Sequence, residues 1–328
     1  MSNMLDDLKK VIRECDYSNT YKMAWAKALV ESSNMYLDSI SSIVEISLYD
    51  IATKMFKYYW DQTIYFNLYQ SAPNQPPIIL QEVKKLIDLY QQKKDDFKPI
   101  TFVRANQFII HNFEKEFKSS IGKCISNIKS YVMPFFLNLE GKTYNFYGIN
   151  KKENKIYISK QLLEEIYNIK QDLFDLINYR WSLMLENYNS CPRIAKKVRI
   201  MDDQEVKRKR PLTSFDKFLD LENGNHTCFI CGKNIPDREL SRDHVIPWSY
   251  LYSDDLWNLV YVHKGCNSKK SNITPSDEAI EELKKRNLRL QKELHKEENI
   301  HSLSLLEEFD YAIANDFVDK FYLGCRGC

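Results

Sequence analysis

Cys228-Phe229-Ile230-Cys231, Asp243-His244-Val245-Ile246-Pro247, Trp257-Asn258-Leu259-Val260 and His263-Lys264-Gly265-Cys266-Asn267 follow one another in a single stretch, which closes with Lys269-Lys270. Four soft or borderline ligands come as two pairs. A two-residue gap lets both side chains of a pair reach one tetrahedral ion from a tight turn, and 31 residues separate the pairs. This is zinc-site spacing, close to a Cys3His structural set, with His226 as a possible substitute ligand. Between the pairs Asp243 stands beside His244, which a structural zinc site does not require. A carboxylate can hold a hard divalent metal while an adjacent neutral imidazole takes a proton from water. The combination points to phosphodiester hydrolysis. Asn258 and Asn267 are further oxygen donors, able respectively to orient the histidine and to complete the metal site. Lys269 and Lys270 follow where backbone phosphates would lie.

Taken together, these residues resemble the HNH endonuclease family, whose signature is a pair of zinc knuckles bracketing Asp-His, Asn-Leu and a final Cys-His or Cys-Asn. The resemblance covers roughly Glu222 to Pro275. It implies a ββα-metal unit, with one strand ending at the Asp-His pair, a loop crossing to a second strand, and a helix supplying the last side chain. By that resemblance Asp243 and Asn267 bind a catalytic magnesium or manganese ion, His244 is the general base and Asn258 positions His244. Cys228, Cys231, His263 and Cys266 hold structural zinc, and the products carry 5′-phosphate and 3′-hydroxyl ends. Two positions depart from the usual pattern. His263 stands where most zinc-bearing members have cysteine, and Asn267 replaces the final histidine. The segments Asp243 to Ser249, Asp254 to Val260 and Asn267 to Asn272 also resemble HNH proteins of bacterial restriction and phage-defence loci. That implies DNA as substrate and a recognition role, toward a DNA feature, a modification or a partner subunit, for the rest of the chain.

Outward from this stretch, composition sets the frame. The length gives a prior of about two domains. Apolar residues at 44% and charged residues at 28% are those of an ordinary globular protein, which excludes disorder and a fibrous fold. Glycine and proline, 8 and 10 residues, are about half as frequent as usual, so helices should dominate and an all-β architecture is not expected. A net charge of +2 announces no nucleic-acid binder by itself; local charge must carry that reading. The most apolar region, Ser42 to Trp60, contains Glu45, Asp50, Lys54 and Lys57, so no membrane span is expected. The charged first ten residues are unlike a secretory signal, and sparse cysteines fit a reducing cytoplasm. Cys15, Cys124 and Cys191 read as small hydrophobes. Cys325 and Cys328 form a terminal pair for which no function is favoured.

The fold class expected is α+β: a mostly helical N-terminal domain and a C-terminal ββα-metal nuclease domain. Residues 1–190 read as helical, with apolar positions recurring at three and four in Ile79, Val83, Leu86, Tyr90 and in Leu162, Ile166, Ile169, Leu173. Pro73, Pro76 and Pro77 break one helix from the next. A hairpin, Tyr144 to Ile149 and Lys155 to Ser159, should interrupt the helices, and Ser159 should cap a long one. The aromatic run Phe56, Tyr58, Tyr59, Trp60, Tyr65 and Phe66 could stack bases, but its helical spacing suits core packing better. His111, in apolar company, reads as a hydrogen-bonded core residue. Residues 191–220 read as a basic linker in which Lys207, Arg208, Lys209 and Arg210 are candidate phosphate contacts. The nuclease unit spans 221–275. Residues 276–328 supply two closing helices, roughly Pro275 to Lys296 and Ser302 to Tyr322, the first capped by Thr274. Two other readings stand beside the nuclease: a zinc-stabilised module that only binds nucleic acid, and a nuclease subunit silent until a partner or signal releases it. The helical domain could hold such a partner, or a second copy of the chain.

Overall fold

The computed structural model describes residues 4–16, 18–72, 76–189, 191–199, 212–296 and 303–326. Lys207, Arg208, Lys209, Arg210, Pro73 and Cys328 lie outside the described residues. The chain divides into two compact units, Met1–Asn189 with Ile194–Asp203, and Ser190–Arg193 with Gln204–Cys328. The architecture is α+β.

In the first unit, helices α1 (Met4–Glu14), α2 (Tyr21–Glu31), α3 (Leu48–Phe66), α4 (Ile78–Lys94) and α5 (Phe102–Asn127) precede a π-helical turn at Ile128–Val132 and the short α6 (Met133–Phe136). Strands β1 (Ile43–Ser47), β4 (Gly148–Asn150) and β5 (Lys155–Ser159) form one antiparallel sheet in the order β1-β5-β4, and β2 (Asn138–Leu139) pairs with β3 (Lys142–Thr143). Helices α7 (Lys160–Asn168), α8 (Lys170–Glu186) and α9 (Ile194–Arg199) complete the unit. The expected hairpin is present, with a first strand shorter than the aromatic run suggested. Tyr144, Phe146 and Tyr147 precede that strand and turn into the core. The pairing of β1 with β5 had no local signal, because a strand finds a distant partner through tertiary packing.

Helix α3 opens at Ser47, whose hydroxyl accepts from the Tyr49 N–H, and closes at Asn67 in the left-handed region. Four of the six residues in its aromatic run are core, while Tyr65 and Phe66 are half-buried. Phe56, Tyr58, Tyr59 and Trp60 are fully buried, against Phe102, Phe117, Tyr90 and Trp181. Ile79, Val83, Leu86 and Tyr90 line the buried face of α4 as their period requires. Ser159 caps α7, accepting from Leu162 N at 3.2 Å. The long helix expected after it is two, broken at Ile169 with φ −116° and ψ 26°. His111 does not sit in the core: it is exposed on α5, whose buried face is carried by Ile109, Phe117, Ile121 and Cys124. Within the stretch read as a linker, α9 folds onto the first unit, burying Lys197 and Val198.

The second unit contains α10 (Asp216–Asn223), β6 (Leu240–His244), α11 (Trp248–Leu251), β7 (Leu259–His263), α12 (Lys264–Lys270), α13 (Asp277–Lys296), α14 (Leu303–Ala314) and α15 (Phe317–Arg326). The second closing helix is thus two, divided where Asp316 takes φ 52°. Ser276 rather than Thr274 caps α13, accepting from Ala279 N at 3.3 Å, and the Thr274 hydroxyl lies 3.9 Å from the Cys325 thiol. One core joins Leu219, Val245, Ile246, Leu251, Leu259 and Val262 to Leu283, Leu290 and Phe309 of the closing helices. At its centre Arg286 of α13 is buried, donating to the carbonyls of Leu256 and Leu259 and to Asn287 Oδ1, while Asn287 donates to Trp257 O. Helix α13 therefore holds the backbone that leads into β7. Replacing Arg286 by Met should leave those carbonyls unpaired and destabilise the second unit by about 2–4 kcal/mol. Urea unfolding of the full chain, followed by Trp fluorescence, checks this; an unchanged midpoint would contradict it.

Candidate active site

Strands β6 and β7 pair antiparallel with Leu240 opposite His263, Asp243 opposite Val260 and His244 opposite Leu259. Helix α12 starts directly after His263, giving a ββα unit. Just upstream, Gly232 at φ +67° closes a tight turn in which its N–H reaches Cys228 O at 2.8 Å. Only glycine takes that conformation without cost. Cys228 N bonds Lys233 O at 2.8 Å, and Phe229 N bonds Tyr261 O at 2.9 Å, which ties this turn to β7.

The ligand atoms of Cys228, Cys231, His263 and Cys266 all lie within 4.8 Å of one another. His263 Nε2 is 3.1 Å from the Asn234 carbonyl, which can only accept. The ring proton is therefore on Nε2, and Nδ1, 3.5 Å from Cys231 Sγ, is free to bind a metal. Burial raises the Cys228 thiol, but N–H groups of Cys231 and His263 and the His263 ring outweigh it and bring it down to about 6. Cys266 is pushed up to about 11 by desolvation and then by the sulfurs of Cys231 and Cys228. Sulfurs this close repel as thiolates and favour a shared cation, and three sulfurs with one imidazole suit zinc. His226 is not in this cluster. Its ring packs edge-on against Tyr261 at 5.1 Å, with Nε2 3.3 Å from Asp220.

At the far end of β6, Asp243 and His244 are both buried, at 8% and 6% exposure. Asp243 Oδ2 is ion-paired with the Lys270 ammonium at 3.0 Å. A buried carboxylate of this kind is a hard oxygen ligand of the type a divalent cation takes. Lys270 Nζ also donates to His244 O at 2.7 Å. Asn267 Nδ2 faces Ser241 Oγ at 3.0 Å and Arg242 O at 3.5 Å. The carbonyl neighbour fixes the amide orientation and leaves Oδ1 as the donor toward a cation. Lys269 is exposed. These oxygens are of the type a magnesium or manganese ion takes, and Asp243 and Asn267 are the residues that would hold it.

Asn258 is fully buried, and its amide is committed to the backbone. Oδ1 accepts from Ile246 N and Nδ2 donates to Ile246 O, both at 2.8 Å. It fixes the chain just beyond His244 and makes no hydrogen bond to the ring. The ring is met by Asp254, whose Oδ1 lies 2.9 Å from Nε2. Sequence reasoning left Asp254 without a role. The pair Asp254-Asp255 is visible, but spacing does not say which carboxylate turns inward.

A family model described as HNH endonuclease matches residues 228–276, and the chain carries that domain with its knuckles converged as a metal-binding cluster. The model of a domain of unknown function, DUF8808, matches residues 1–198, more than half of the chain, and the chain belongs to that family. No curated protein and no solved structure matches the chain.

Replacing Asn258 by Ala should strand both Ile246 backbone groups and destabilise the second unit by about 2–4 kcal/mol. Urea unfolding again gives the test, with a loss under about 1 kcal/mol counting against this role.

Proposed function

We propose that this chain is a metal-dependent endonuclease that hydrolyses phosphodiester bonds of DNA, working in the cytoplasm in bacterial restriction or phage defence. What supports the reading is the presence in one ββα unit of the buried Asp243 carboxylate with Lys270 beside it, the Asn267 amide, and the His244 imidazole with one ring nitrogen on Asp254. Cys228, Cys231, His263 and Cys266 hold zinc, which fixes the unit rather than acting on substrate. Asp243 and Asn267 hold magnesium or manganese, which when bound offsets the charge developing on the phosphate and the leaving oxygen.

His244 accepts a proton from water at Nδ1 as the water oxygen bonds to phosphorus. The P–O3′ bond breaks, giving a 5′-phosphate and, after protonation by solvent, a 3′-hydroxyl. Asn258 keeps the His244 backbone in place by fixing Ile246. Exposed Lys269 and the run Lys207 to Arg210 meet backbone phosphates, and Lys270, held against Asp243, supplies further positive charge beside the reacting group. No helix among the described residues is long and apolar enough to cross a membrane. The helical domain selects the target or a partner protein.

The test is nicking of supercoiled plasmid. Wild type should cut with magnesium or manganese and not with EDTA. His244→Ala should lose about 10²- to 10⁴-fold in rate while keeping its zinc. Full activity of that variant would remove the assignment; a zinc-loaded wild type that binds DNA without cutting it would favour the binding module. Charge reversal at Lys207 to Arg210 should weaken binding and flatten its salt dependence. Unchanged affinity and slope would exclude that run from the interface.

A further inference from the structure

His244 has a carboxylate partner, and the neighbouring groups show which one. Residues 252–255 form a tight loop after α11. Tyr252 takes φ 54°, its N–H bonds Trp248 O at 2.6 Å, and its ring packs on Trp248 at 4.6 Å. The turn separates two adjacent aspartates. Asp255 faces away from the histidine: it accepts from the Ser253 hydroxyl and lies 3.9 Å from Arg193. Asp254 faces inward, 2.9 Å from His244 Nε2, with the imidazole 7% exposed and the carboxylate 26% exposed.

We infer that Asp254 is a positioning residue that holds the His244 ring in the tautomer and orientation that present Nδ1 to water. The inference rests on the reading of His244 as general base, and adds the group that makes it one. An ionised carboxylate has only acceptors, so a 2.9 Å contact places the ring proton on Nε2. The other nitrogen then carries the lone pair. Asn258, the sequence-level candidate for this role, has both amide ends engaged with Ile246. Lys270, paired with Asp243, meets His244 only at its carbonyl, so it places the backbone without choosing the tautomer.

The substitution series Asp254→Glu, Asp254→Ala and Asp254→Asn separates positioning from loop support. Glutamate keeps an acceptor and should keep most activity. Alanine removes the acceptor and should cost about 10- to 100-fold in kcat. Asparagine has nearly the shape of aspartate, but its amide can donate to Nε2 and so favour the opposite tautomer. It should fall at or below alanine. A purely structural Asp254 gives the reverse order, with asparagine close to wild type. A second readout needs no turnover. Nitrogen-15 NMR of histidine-labelled full-length protein should show His244 protonated at Nε2 in wild type, and shifted toward Nδ1 in Asp254→Asn, with zinc content unchanged. A wild-type ring protonated at Nδ1, or an unchanged tautomer in Asp254→Asn, would overturn the inference. The spectrum reports the ring and not the cleavage, so it separates a failure of this pairing from a failure of the nuclease reading.

Discussion

Two ligand pairs 31 residues apart must meet at one point, and the geometry of the nuclease unit follows from that meeting. His263 is both a cluster ligand and the residue opposite Leu240, so closing the cluster sets where β7 ends against β6. From there the antiparallel register carries Asp243 and His244 to Val260 and Leu259. A slip of one residue would turn every side chain of β6 to the other face. Ser241 would turn away from Asn267, and Asp243 away from Lys270. The cluster at one end of the hairpin thereby fixes which side chains stand at the other.

The site is then tightened from behind. Asn258 pins Ile246 in both directions, and Arg286 with Asn287 takes the carbonyls of Leu256, Leu259 and Trp257. Short loops carrying reactive groups are usually the softest parts of a protein. Here the loop between the strands is fastened by buried polar side chains. The closing helices are part of that fastening, since their apolar faces share one core with β6 and β7.

Much of this was legible because it is written in local patterns. Ligand pairs with two-residue gaps, an Asp-His step and a lysine pair need no knowledge of distant contacts; they located the cluster, and the family resemblance they carry implied the ββα unit. Helical periods in α4 and the cap at Ser159 were readable for the same reason. The misreadings share a cause. His111 lies among apolar residues in sequence, but a helix spreads neighbours around its axis, and position 111 falls on the wet side of α5. Ser276 and not Thr274 caps α13, because the end of a helix depends on where the chain turns into it. Ile169 and Asp316 break helices that periodicity alone would continue. The choice between Asp254 and Asp255, and the burial of Arg286 under β7, are set by tertiary packing and leave no trace in spacing.

One chain is thus read as holding two metals of opposite character, a soft-ligand ion for structure and a hard one for catalysis. Element-specific anomalous diffraction from crystals grown with manganese and a short DNA duplex tests this most directly. Zinc density is expected among Cys228, Cys231, His263 and Cys266, with manganese density beside Asp243 and Asn267 next to a backbone phosphate. Zinc in its cluster with no manganese at Asp243 in the DNA-bound crystal would contradict the two-metal reading and leave a binding module in its place.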